Sequence, residues 1–143
     1  MDTTIRRAGP QDLDALAVLF DAYRRFYGQP ADLARARDWL RSRMRFGESV
    51  VLIAERDGTA AGFTQLYPMH SSVRTARTWI LNDLYVADHG VASSQVVCRL
   101  TKSDTLLPDP PQHIVLLHYV QVGHCDRRGE RMATEGGAVH ESA

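Results

Sequence analysis

The chain has 143 residues, 44% of them apolar and 24% charged, which suits one globular domain and is too short for two with separate cores. Lys plus Arg and Asp plus Glu number 17 each, and this balance speaks against a protein that works by coating nucleic acid or an anionic membrane. No apolar run approaches the roughly 18 residues that span a bilayer, and the start, Met1-Asp-Thr-Thr-Ile5, lacks the basic and apolar regions of a leader, so the expected location is the cytoplasm.

Residues 3–7 read as a short extended segment. Gly9-Pro10 then opens a helix, with proline where its missing N–H costs nothing. Leu13, Leu16, Ala17, Phe20, Tyr23 and Tyr27 recur at helical spacing, Asp12 and Asp14 suit the first turn, and Gly28 and Pro30 end it. A second helix is expected over residues 31–46, with Leu33, Ala36, Leu40 and Met44 on one face. Residues 49–55 have the composition of a buried strand, Asp57-Gly58 suits a tight hairpin turn, and residues 60–67 return antiparallel. A third strand is expected over 78–86. Eight side chains, Phe20, Leu40, Leu52, Ile53, Phe63, Leu66, Leu81 and Leu84, are the expected core.

Composition then changes. Residues 1–88 hold ten of the eleven aromatics, whereas the last 55 hold five of the six histidines, both cysteines and the only lysine. A domain spreads large apolar side chains over all its elements, because each buries a face against the others. The chain therefore divides into 1–88, an atypical continuation at 89–122, and a tail at 123–143 expected to be disordered. Residues 91–100 read equally as strand or helix, and 113–122 as strand. Cys98 and Cys125 show no Cys-x-x-Cys spacing, and His118, His124 and Cys125, separated by six and one, match no compact metal site. No metal is expected.

The element order, with Trp79-Ile-Leu-Asn-Asp-Leu-Tyr-Val86, resembles the GNAT superfamily of N-acetyltransferases. Gly62-Phe-Thr-Gln-Leu-Tyr-Pro68 and Tyr23-Arg-Arg-Phe-Tyr27 are similar to its bacterial subgroup related to histone and polyamine acetyltransferases. The resemblance covers residues 3–88. It implies an α+β fold with a GNAT-like mixed sheet: an N-terminal strand, two helices and an antiparallel meander. It also implies acetyl-CoA as cosubstrate and a small-molecule or peptide amine as acceptor, with neither nucleic acid nor membrane as partner. A homodimer is compatible with it. After the third meander strand the family has a loop Arg/Gln-x-x-Gly-x-Gly/Ala, whose backbone N–H groups hold the pyrophosphate. This chain reads His89-Gly-Val-Ala-Ser-Ser there, and the later segment that usually supplies a tyrosine acid is missing too. A shifted reading frame, or a fused and truncated gene, is the expected origin of the tail, and a non-catalytic remnant or interaction module is the alternative function.

The resemblance also implies roles. Backbone groups of Leu84, Tyr85 and Val86 align the pantetheine arm. An alkyl ammonium with pKa of about 10 must lose a proton before it attacks a thioester, and Asp83, the carboxylate inside the strand, is the candidate base. The rival reading pairs it with Arg74 or Arg77. Asn82 can orient water but take no proton, and strand alternation puts it on the face opposite Asp83 unless a bulge intervenes. Tyr23, Phe26, Tyr27 and Tyr67 are candidates for the acceptor wall, against the plainer reading as core, and His70 for a loop position near the acceptor. Arg35, Arg37, Arg41, Arg43 and Arg45 form a basic run, read as a solvated helix face.

Overall fold

The computed structural model describes residues 2–87, 96, 99, 100, 103–108, 113–116 and 120–122. Strand β1 (Thr3–Arg7) leads through a 3-10 turn (Pro10–Asp12) into helix α1 (Leu13–Phe26). Helix α2 (Leu33–Arg45) follows, capped by the Asp32 carboxylate, which accepts from Arg35 N at 3.0 Å. Its two ends lie slightly inside the expected 31–46. Then come β2 (Val50–Arg56), β3 (Thr59–Ser71) and β4 (Ala76–Val86). Positive φ at both Asp57 (50°) and Gly58 (78°) joins β2 to β3 through a two-residue turn that matches strand twist.

The sheet order is β1-β2-β3-β4, antiparallel throughout. Two further strands, β5 (His113–Leu116) and β6 (Val120–Val122), both run parallel to β4, the first beside Thr78 to Leu81 and the second beside Leu84 to Val86. Val96, Arg99 and Leu100 are helical. The expected break after residue 88 and the expected disordered tail lie outside the described residues. So do His89, His118, His124 and both cysteines.

Each face of the sheet has its own core. Leu16, Phe20, Leu40, Val51, Ile53 and Phe63 close the face under α1 and α2. Leu52, Leu66, Trp79, Leu81, Leu84 and Leu100 fill the other. All eight expected core side chains are buried. Arg6 locks β1 to the start of α1: its guanidinium donates to both Asp12 carboxylate oxygens at 2.8 and 2.7 Å, and to Glu55. At the other end of α1, Asp21 accepts from the backbone of Asp32 at 2.9 Å and so fixes where α2 begins. Among the described residues, no helix is long and apolar enough to cross a membrane.

Candidate functional site

The site is made by an irregularity in β4. Gln65 pairs with Asp83, yet Leu66 pairs with Leu81, so Asn82 is an extra residue on β4. Strict alternation would put Leu81 and Asp83 on one face. With the bulge, Leu81, Leu84 and Val86 all enter the core away from α1 and α2, while Asp83 and Tyr85 turn toward those helices. Alternation alone separates Asn82 from Asp83; the bulge instead brings the Asn82 amide to donate to the Asp83 carboxylate at 3.1 Å.

Asp83 is only 7% exposed. The Tyr23 hydroxyl, reaching from the last turns of α1, donates to the same oxygen at 2.8 Å. Burial raises the Asp83 pKa above the ordinary carboxylate range, and the bonds from Tyr23 and Asn82 offset only part of that rise. Among the described residues the carboxylate accepts hydrogen bonds from a phenol and an amide, while Arg77 lies six residues back along β4, over the Trp79 ring. The Tyr23 phenol is pushed up in turn, first by burial and then by Asp83, so it remains a neutral donor. A carboxyl so held accepts a proton more readily than an exposed one.

Aromatic rings surround the pair. Tyr23 lies 5.1 Å from Tyr27, 5.8 Å from Phe20, 5.9 Å from Phe63 and 6.4 Å from Tyr85, centre to centre. Tyr23 thus packs against the helix-side core and also bonds Asp83, whereas Tyr27 is 40% exposed, with the Phe26 ring at 5.6 Å. Tyr67 is half-buried on the helix side of β3, and its phenol is pushed up by burial and by Asp83. The structure does not bring His70 to this cluster. Three residues beyond Tyr67 on β3, it points to the opposite face, is exposed, and pairs in register with Arg77.

Two contributors were not anticipated. Gln65 is fully buried beside Asp83 in the ladder; its amide donates to Ser49 Oγ at 2.8 Å, and its carbonyl oxygen has no partner among the described residues. A glutamine in the otherwise apolar run around Phe63 and Leu66 is the signal that could have found it. Trp39 of α2 stacks under Arg43 at 4.2 Å and acts on the Tyr67 hydroxyl.

The backbone of Leu84, Tyr85 and Val86 is paired on both edges, with Leu84, Tyr85 and Val86 opposite Thr64, Phe63 and Gly62 of β3 and opposite Val120–Val122 of β6. The β4 edge on which the resemblance would lay a pantetheine arm is thus lined by β6. Among the described residues no group of three His, Cys, Asp or Glu side chains converges.

No family model matches the chain. It is 52% identical over 85 residues to an uncharacterized N-acetyltransferase, YhfO, of Bacillus subtilis (strain 168), a match over 59% of this chain and 57% of that protein. A probable acetyltransferase of Haemophilus influenzae is 35% identical over 98 residues, 68% of this chain and 67% of its own. The matched part thus spans little more than half of the first relative and two thirds of the second. Among solved structures, that of a probable acetyltransferase superposes with a TM-score of 0.71 at 28% identity, over 94% of this chain and 99% of that one. With the strand order, the two helices and these relatives in agreement, the chain belongs to the GNAT superfamily of N-acetyltransferases.

Proposed function

We propose that the chain carries the amine-accepting half of an acetyl-CoA-dependent N-acetyltransferase whose cosubstrate half is impaired in this form. The observation that carries the reading is the buried Asp83 carboxylate, raised in pKa and gripped by Tyr23 and Asn82 at a strand bulge. A primary amine, on a small molecule or a peptide, arrives as an ammonium. Asp83 attracts it and takes a proton, and its raised pKa narrows the gap to a base of pKa about 10. The rings of Tyr23, Tyr27 and Tyr67 offer a wall on which a cation is favourably placed within about 6 Å. Tyr23 orients the carboxylate, and Asn82 donates to the same oxygen. His70 has no role in this reading.

Impairment is supported by two independent features. The sequence after Ala87 lacks the glycine-rich loop for the pyrophosphate, and the β4 edge assigned to pantetheine is taken by β6. Charge-assisted hydrogen bonds contribute about 1.5–3 kcal/mol each, so losing two weakens binding about 100-fold or more. Isothermal titration with acetyl-CoA is expected to give an affinity of about millimolar, with little turnover on polyamines or peptide amines. Micromolar affinity would overturn the impairment. No detectable binding at all would favour the second reading, a non-catalytic remnant, which the occupied β4 edge also supports.

A further inference from the structure

On the helix side of the sheet, away from Asp83, the end of β1, the start of α1, the last turns of α2 and the first residues of β2 enclose a cavity of about 350 Å³. Leu13, Met44 and Val51 give it an apolar lining, and Arg41 and Arg45 of α2 line it too. No Asp or Glu lies among its described lining residues. The basic run of α2 is therefore not uniform. Arg37 is paired with Asp14 at 2.8 Å and Arg43 with Glu48, but Arg41 and Arg45, one turn apart, both reach the cavity. The Arg41–Asp38 pair, at 3.1 Å, is exposed on both sides and holds the guanidinium only weakly. Ser49, 5% exposed, also lines the cavity; its Oγ accepts from Gln65, which leaves its O–H to donate.

The walls are fixed before any ligand arrives. Arg6 clamps Asp12, Gly9 N donates to Asp12 at 2.8 Å, and Ala8 N donates to Val51 O at 2.9 Å. The volume falls within the range of small-molecule pockets, about 300–1,000 Å³.

We propose that this cavity binds a small organic monocarboxylate with an apolar body. The guanidinia take the carboxylate, for which their fork of donors is shaped, and the apolar lining takes the body. A free phosphate has nothing to place on Leu13, Met44 and Val51. The cavity is separate from the amine site: Val51 pairs with Gln65 and Gln65 with Asp83, so the two lie two strands, about 10 Å, apart. Their charges are opposite, so one ligand does not serve both.

The test is titration of the 143-residue chain with benzoate, benzamide and inorganic phosphate, by calorimetry and by NMR of the Met44 and Leu13 methyl groups. Expected are saturable benzoate binding at one site with shifts at those methyls, benzamide at least tenfold weaker, and no displacement by phosphate. The double variant Arg41→Glu/Arg45→Glu, both exposed positions, should lose benzoate affinity tenfold or more with its circular dichroism unchanged. Arg35→Glu, the same reversal at a single position outside the cavity, should bind benzoate as the parent does. Equal affinity for benzamide, displacement by phosphate, equal loss in Arg35→Glu, or no benzoate binding would each overturn the proposal.

Discussion

Replacing Tyr23 by Phe removes one oxygen and keeps a ring in contact with Phe20, Tyr27 and Phe63, so the change removes the hydroxyl's bonds to Asp83 and Tyr27 without opening a cavity, and the cycle with Asp83 isolates the first. At 2.8 Å, to a carboxylate that is 7% exposed, the bond belongs with those to charged groups, at about 1.5–3 kcal/mol. For a chain of this size that lowers Tm by roughly 4–10 °C. The pH dependence is the sharper signature. Burial makes folded Asp83 hold its proton more tightly than unfolded Asp83 does, so the native state binds more protons between the unfolded and folded pKa, and stability falls as pH rises through that window. Tyr23 opposes this by favouring the carboxylate form. Its removal pushes the Asp83 pKa further up and extends the fall to higher pH. The cost of Tyr23→Phe is therefore greatest above the folded pKa and drops toward about 1 kcal/mol where Asp83 is protonated and the bond is neutral. Urea unfolding of wild type, Tyr23→Phe, Asp83→Ala and the double variant, at pH 8 and at pH 4, measures it. A cost below about 0.5 kcal/mol at pH 8, or the same cost with and without Asp83, would refute the reasoning.

Asp12→Ala removes a bidentate partner of Arg6 and the acceptor for Gly9 N, and is expected to destabilise by about 2 kcal/mol or more in urea unfolding. Since the bonds from Arg6 hold the Asp12 pKa low, its contribution is present above the unfolded value of about 3.9 and lost as pH falls through the folded one, so the variant and wild type should converge in acid. Gly62→Ala would put a Cβ 2.7 Å from Tyr85 O and 3.1 Å from Val86 Cγ2. Backbone must move to admit it, at about 1–3 kcal/mol, and amide NMR shifts of Tyr85 and Val86 should report the displacement. Leu40→Ala, at a fully buried position between α2 and the sheet, should cost about 2–5 kcal/mol by denaturant unfolding.

The local signals in residues 3–86 determined the elements. Helical spacing from Leu13 to Phe20, the Gly28 stop, the Asp57-Gly58 turn and the apolar strands each act within a few residues, so they are legible in order along the chain. They also determined the core, because period and face follow from the element type. The motif around Asn82 and Asp83 marked the right stretch of chain and left its geometry open. What the tertiary structure decided depends on pairing between distant residues. One extra residue on β4 opposite Gln65 and Leu66 chooses the face on which Asp83 lies, and no single-strand periodicity encodes a partner's register. The bond from Tyr23 to Asp83 spans 60 residues; the link from Gln65 to Ser49 needs β3 paired with β2, and the cavity needs β1, α1, α2 and β2 assembled together. The fate of the β4 edge is tertiary as well, since a strand at Val120–Val122 either pairs there or leaves it free, and only the folded chain brings Leu84 beside Val120.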